Sequence, residues 1–273
     1  MRVLVTGAGS PLGRRVVRAL SGEQLVQLVR PDQHAASGLK ADLVVPDSYG
    51  PAIGPVDAIV HLDTRAQAHE GALLDHPSPD EPDVDPGRYG SAWLAGQCAA
   101  EARVNLWARR TGTETLVVRA GHTYGAVGLD GPLSGLLQAA ANSAEGTGVL
   151  ALRGAQTALP FVHVDDLAKA LAMRVRGDAM PAERTFVQKL GRVEAVGLVA
   201  SLAEVHRAFC ARTERTARLI EPKDRLSRVL GQDGELPRYL QSAPLRRANT
   251  AWTESYGVRR LNELAEALVG GAC

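Results

Sequence analysis

The chain has 273 residues, 45% of them hydrophobic, and its 31 basic and 30 acidic side chains leave a net charge of +1. This length accommodates one α/β domain with a small additional region, and the charge balance excludes the basic surface that a nucleic-acid partner requires. Cys98, Cys210 and Cys273 form no CxxC pair, so neither a disulfide framework nor a zinc ribbon is indicated. With no leader-like start and no apolar run of the ~18 residues that a bilayer requires, we expect a cytoplasmic protein without a membrane partner.

The first twenty residues, MRVLVTGAGSPLGRRVVRAL, have the pattern of a strand followed by a helix. Residues 3–5 (VLV) form a short apolar run typical of a buried strand. Leu12, Val16 and Leu20 then recur every four residues, which places them on one face of a helix.

A glycine turn connects these two elements and predicts a nucleotide site. Ser10 and Pro11 stand where a helix prefers a capping hydroxyl and a proline at its first position. Gly7, Gly9 and Gly13 allow phosphates to approach the backbone N–H groups at the start of that helix. The alternative is an ordinary glycine-rich turn, but the flanking strand and helix favour nucleotide binding.

The second strand, LVQLVR, ends in Arg30. An acidic residue at this position would bind the ribose hydroxyls of NAD, whereas an arginine suits the additional phosphate of NADP. Arg30 at a solvated strand end is the other interpretation. The pattern favours NADPH, with NADH as the alternative.

Strands and helices continue to alternate along the chain, which predicts a doubly wound parallel sheet with its ligand at the carboxyl ends of the strands. A Pro-rich and acidic loop is predicted at 75–88, and a substrate-covering lid at 222–250. The further predicted strands lie at 56–63 and 147–152, and residues 115–125 are predicted to be a strand that runs into a turn. Helices are predicted at 91–110, 132–145, 196–212 and 258–269, and a strand from Leu159 leads into a helix capped by Asp165 or Asp166.

Four stretches in this order, VTGAGSPLG, ADLVVPDSYGPAIGPVDAIVHLD, LVVRAGHTYG and LPFVHVDDLAKAL, resemble the extended short-chain dehydrogenase/reductase family. The resemblance covers most of the chain. It implies a Rossmann-like domain at 1–175, on which parts of 185–215 and 250–270 pack, and a lid at 222–250.

The resemblance also implies the cofactor-binding residues. Ser10 replaces the usual middle glycine, and Asp63 replaces the usual alanine. The residues implied are Gly7, Ser10, Pro11, Leu12 and Gly13 for the pyrophosphate, Arg30 for the adenosine phosphate, Asp42 and Leu43 for the adenine, and Leu62 and Asp63 near the nicotinamide ribose.

One βα unit of the family is predicted to be missing. Between its fourth strand and its catalytic helix the family has a helix and a further strand, but only residues 64–90 are available here, many of them proline or aspartate. Removal of a complete unit keeps the remaining crossovers right-handed. The strand that ends in Gly121, His122 and Thr123 is then expected beside the fourth strand, close to the cofactor.

The stretch RYGSAWLAGQCAAE departs from the family's catalytic Tyr and Lys. Trp93 and Gln97 stand at those two positions, or Tyr89 is the anchor and Trp93 its partner. An indole and an amide cannot replace the phenol and ammonium that pass a proton to the forming alkoxide. The catalytic group is therefore undefined, with His122, Tyr89, Trp93 and Gln97 as candidates.

No metal site is predicted, because the spacing of His69, Glu70 and His76 matches no zinc-binding helix. His61 and His163 lie within strands and are expected to have structural roles.

Atypical family members, the angucyclinone ketoreductases of antibiotic pathways, also lack this Tyr and Lys, and the chain resembles them in this respect. The leading hypothesis is an NAD(P)H-dependent ketoreductase that acts on a carbonyl of an aromatic polyketide and uses no Tyr/Lys relay. The alternatives are a non-redox cyclase, dehydratase or epimerase-like enzyme that uses His122, Tyr89 or Asp63, and a catalytically inactive nucleotide-binding protein. The sequence does not define the oligomeric state.

Overall fold

A computed structural model describes residues 1–29, 38–40, 53–62, 92–125, 128–129, 149–151, 154–181, 183–185, 190–214, 218–220, 250–257 and 260–270. The helices in these ranges are α1 (Pro11–Ala19), α2 (Ala92–Thr111), α3 (Val164–Val175), α4 (Leu202–Arg212), α5 (Thr250–Tyr256) and α6 (Leu261–Gly270). The strands are β1 (Arg2–Thr6), β2 (Gln24–Val29), β3 (Leu39–Lys40), β4 (Ala58–His61), β5 (Thr115–Ala120), β6 (His122–Gly125), β7 (Gly128–Leu129), β8 (Val149–Ala151), β9 (Ala158–His163), β10 (Arg184–Thr185), β11 (Leu190–Ala195), β12 (Leu198–Ser201) and β13 (Arg218–Ile220). No helix of this described part is long and apolar enough to cross a bilayer.

The chain divides into two compact units. The first consists of Met1–Asp75 and Val164–Met180, and the second of His76–His163 and Pro181–Cys273. The sequence-predicted helix at 132–145 and nearly all of the lid at 222–250 lie outside the described residues, as does the interval 64–90 in which a βα unit is predicted to be missing.

The first unit contains a parallel sheet in the order β3-β2-β1-β4. Each pairing in it is parallel, and Thr6 at the end of β1 lies beside His61 at the end of β4. The predicted α/β fold with a parallel sheet is therefore confirmed. Because β1 is central, the turn that follows it opens at the middle of the sheet's carboxyl edge.

Two apolar clusters cover the two faces of this sheet. The side chains of β1 alternate, so Val3 and Val5 face one cluster while Leu4 faces the other. The first cluster includes Val16 of α1, on the face that the sequence predicts. Its buried members are Val3, Val5, Ala8, Val16, Leu20, Val29, Val60, Ala168 and Ala172, and those of the second are Leu4, Leu28 and Ile53.

The second unit contains three smaller sheets, with strand orders β10-β11-β5, β12-β9-β6-β7 and β13-β8. The predicted strand that runs into a turn over 115–125 is confirmed in its first half, but a second strand replaces the turn: β5 and β6 belong to different sheets on either side of Gly121. A Cβ on Gly121 would lie 2.8 Å from the backbone of Pro160 and Phe161. The chain therefore passes close enough to β9 to change sheets only where there is no side chain.

Two predicted helix starts also differ from the structure. Residues 198–201 form β12 instead of helix, and α4 begins only after Ser201, which caps it. Helix α3 begins at Val164, so Asp165 and Asp166 lie inside its first turn and not at the cap. Asp165 forms an ion pair with Arg15 of α1 (3.2 Å), and this contact joins α3 to α1.

Candidate functional site

A buried glycine turn follows β1 and leads into α1. Gly7 has a φ of 67°, in the region that favours glycine. The Ser10 N–H donates to the Gly7 carbonyl (3.0 Å), and Ser10 Oγ accepts from the Gly13 N–H (2.9 Å). The predicted roles of Ser10 as cap and Pro11 as first helical residue are confirmed.

Gly13 places the first turn of α1 directly against this glycine turn. A Cβ on Gly13 would lie 2.1 Å from the Gly7 carbonyl oxygen and 2.7 Å from Ala8 Cα. Pro11 carries no N–H, and the amide of Leu12 has no acceptor within α1 because it lies in the first turn. A helix N-terminus that closes on small residues fits the pyrophosphate of a dinucleotide.

Thr6 joins the carboxyl ends of β1 and β4. Its Oγ1 lies 2.7 Å from Nδ1 of His61 and accepts a 3.3 Å hydrogen bond from the Leu62 N–H. Leu62 is half-buried and packs on the core beneath the turn. The contact gives His61 the structural role that the sequence predicts. It also adds Thr6, a buried polar side chain whose only sequence signal is its position between the strand and Gly7.

Several predicted site residues cannot be placed with this turn. Arg30, Asp42, Leu43, Asp63 and Tyr89 lie outside the described residues. Trp93 and Gln97 lie one turn apart in the N-terminal half of α2, and the description there covers the backbone alone.

His122 is the first residue of β6 in the second unit, and it is buried. Its ring centroid lies 5.7 Å from that of Phe161, its register partner on β9. Tyr124 and His163 are the next such pair, with ring centroids 5.2 Å apart in an edge-to-face arrangement. The imidazole of His122 is thus held by aromatic packing on the β6–β9 pair.

Glu101 on α2 binds two arginines of the second unit. Its carboxylate accepts from Nε and Nη2 of Arg119 on β5 (2.8 and 2.9 Å) and from Arg192 on β11. Glu101 is not among the site residues that the sequence predicts. Its arginine partners are 18 and 91 residues away, so the local pattern does not reveal them.

Two shifted pKa values belong to α4. Hydrogen bonds from the backbone N–H and the hydroxyl of Ser201 lower the pKa of Glu204, as expected for a capping box. Burial lowers the pKa of His206, whose ring nitrogens lie 3.7 Å from Sγ of Cys210. Both groups stabilise the start and the packed face of α4.

No protein-family profile matches the chain, and no curated protein sequence matches it. Solved structures do match over nearly its whole length. L-threonine 3-dehydrogenase from Trypanosoma brucei is 14% identical, with 99% of this chain and 96% of that chain covered and a TM-score of 0.63. UDP-glucose 4-epimerase from Thermus thermophilus, in complex with NAD, is 15% identical, with 99% of each chain covered and a TM-score of 0.62.

RMD from Pseudomonas aeruginosa, in complex with NADPH, is 15% identical, with 99% of this chain and 99% of that chain covered and a TM-score of 0.59. At these identities the likeness concerns the fold. The chain therefore has the Rossmann-type α/β fold of these structures.

Proposed function

We propose that this protein is an NAD(P)H-dependent ketoreductase that reduces a carbonyl of an aromatic, angucyclinone-like polyketide in antibiotic biosynthesis. The observation that carries the proposal is the glycine turn at the middle of the parallel sheet. Gly13 lets the first turn of α1 pack directly against this turn. The fold shared with dinucleotide-bound enzymes supports it.

In this proposal the glycine turn holds the pyrophosphate of NADPH, with NADH as the weaker ligand. Gly7, Ser10, Pro11, Leu12 and Gly13 form that cradle. The bound nicotinamide supplies a hydride. The remaining assignments are Arg30 to the adenosine phosphate, Asp42 and Leu43 to the adenine, and Leu62 and Asp63 to the nicotinamide side.

The sequence lacks the usual proton relay. Each of its five tyrosines is followed four residues later by a residue other than lysine, namely Ile53, Trp93, Gly128, Ala243 and Arg260. No ammonium is therefore placed one helical turn from a phenol to lower its pKa. An aromatic ketone with an adjacent phenol carries an internal hydrogen bond that polarises its own carbonyl for hydride attack. The phenol proton then passes to the alkoxide and is replaced from solvent, so such a substrate requires no acid from the protein.

Two side chains have proposed roles beside this substrate. Trp93 stacks on its flat ring system. His122 is the candidate acid–base group at the carbonyl. In a Trp93→Ala variant the substrate KM rises while the affinity for NADPH is unchanged. Unchanged KM and turnover would reject the stacking role.

The experiment that tests the proposal compares two substrates. Purified protein with NADPH is given an aromatic polyketide ketone with a neighbouring phenol, or the same ketone with that phenol methylated. We expect NADPH oxidation that matches alcohol formation for the phenol, and a much slower reaction for the methyl ether. A protein that binds NADPH but oxidises none of it with either ketone would contradict the proposal.

An epimerase-like or dehydratase-like activity is the second candidate, because an epimerase shares the fold over the whole chain. His122, Tyr89 or Asp63 is then the acid or base. Product formation without net consumption of cofactor would favour this function. Binding of NADPH without conversion of any substrate would favour an inactive nucleotide-binding protein.

A further inference from the structure

The charges at the start of α1 are opposite to those that a helix prefers. Arg14 and Arg15 are the fourth and fifth residues of α1, and its first turn contains no acidic residue. The N-terminus of a helix carries a partial positive charge, so cations there oppose helix stability. An anion near this end would remove the conflict.

The two arginines differ in their partners. Arg15 forms its ion pair with Asp165 of α3 (3.2 Å), which neutralises it within the first unit. The Arg14 side chain is exposed, and Nη1 donates to the Gly9 carbonyl (2.8 Å). Within the part of the chain that the structure describes, no carboxylate forms an ion pair with Arg14.

The anchor of Arg14 lies on the side of the turn next to β2. Gly9 follows Ala8, whose N–H donates to the carbonyl of Leu28 near the end of β2 (3.3 Å). In this fold the end of the second strand is the place of the adenosine ribose. The Gly9 carbonyl takes one N–H of the guanidinium, and its other donors remain for a ligand.

We propose that Arg14 is a cofactor-binding residue that binds the adenosine 2′-phosphate and so selects NADPH over NADH. The inference rests on the proposed function, since it requires a dinucleotide at the glycine turn. A guanidinium binds phosphate through paired, charge-assisted hydrogen bonds. Arg14 satisfies this chemistry from α1, independently of Arg30, which follows β2 in the sequence.

The test is calorimetric binding of two ligands that differ only in the 2′-phosphate, 2′,5′-ADP and 5′-AMP, to the full chain. The variant is Arg14→Gln, and Arg15→Gln is the matched control, because it removes the same charge one residue away. We expect Arg14→Gln to lower the affinity for 2′,5′-ADP by about tenfold, the equivalent of about 1.4 kcal/mol. The affinity for 5′-AMP should change by less than about twofold, and Arg15→Gln should leave the ratio of the two affinities unchanged.

Arg14→Lys provides a second variant that keeps the charge. It is expected to retain part of the preference for 2′,5′-ADP and the wild-type melting temperature. The assignment would be overturned if Arg14→Gln lowered the affinities for both ligands equally, or if Arg15→Gln changed the ratio of the two affinities as much as Arg14→Gln does. Either result would leave dinucleotide binding intact. A wild-type chain that binds neither ligand nor NADPH would overturn the proposed function as well.

Discussion

At the scale of single residues, the space around Gly13 determines how closely α1 can approach the turn after β1. A Cβ at this position would lie 2.1 Å from the Gly7 carbonyl oxygen. The contact is with backbone, so no side-chain rotation relieves it. Helix and turn would have to separate, and the cradle would open with them.

Gly13→Ala is therefore expected to reduce both stability and dinucleotide binding. Overpacking of this kind costs about 1–3 kcal/mol of unfolding free energy, measurable by urea denaturation. Gly22→Ala is the control, because a Cβ there meets no heavy atom within 4 Å. If both variants unfolded at the same urea concentration and bound NADPH equally, the packing argument would be wrong.

His206 makes a pH-dependent contribution to stability. Its ring is buried and its pKa is lowered by that burial, so the folded chain binds a proton there less readily than the unfolded chain. The stabilisation is present above the unfolded pKa of about 6.5 and is lost as the pH falls towards the lower folded pKa.

The measurement is the unfolding free energy of wild type and His206→Gln between about pH 8 and pH 5. Wild type should lose stability relative to the variant as the pH falls below about 6.5. Parallel profiles for the two proteins would show that the pKa of His206 is the same in the folded and the unfolded chain, and so is not lowered by burial.

At the scale of elements, Glu101 connects α2 to two neighbouring strands. Its side chain is 15% exposed, and its carboxylate lies between Arg119 and Arg192, which stand on the parallel pair β5 and β11. Hydrogen bonds between charged groups that are shielded from solvent are stronger than those at the surface. This contact therefore fixes α2, which also carries positions 93 and 97, against the sheet.

Glu101→Gln removes the carboxylate that accepts from both arginines, and Arg119 keeps its weaker ion pair with Glu194 (3.5 Å). The variant should lower the unfolding free energy by about 1–3 kcal/mol. The matched control is Glu266→Gln. Glu266 pairs with Arg212 at the surface, where both side chains are about half exposed, and such pairs contribute about 0–1 kcal/mol. If chemical denaturation showed equal losses of unfolding free energy for the two variants, Glu101 would contribute no more than a surface ion pair.

At the scale of the whole molecule, the glycine turn, the start of α1 and the parallel first sheet could be predicted because their signals are local. Gly121 shows the limit of such signals. The apolar run around it indicates strand, but the change of partner from β11 to β9 depends on the backbone of Pro160 and Phe161.

Within the candidate site the same limit applies to contacts between distant positions. The Thr6–His61 contact joins residues 55 apart, so it exists only once β1 and β4 are paired. Arg14 and Arg15 are equivalent in the sequence. The fold distinguishes them, because Arg15 pairs with Asp165 on α3 while Arg14 donates to the Gly9 carbonyl.

The central claim is that this chain binds a nicotinamide dinucleotide at the turn between β1 and α1. Its most direct test is a calorimetric titration of the purified chain with NADPH and with NADH. We expect saturable binding, tighter for NADPH, that Gly22→Ala preserves and Gly13→Ala weakens. Absence of binding by the folded wild-type chain to either dinucleotide would contradict the claim.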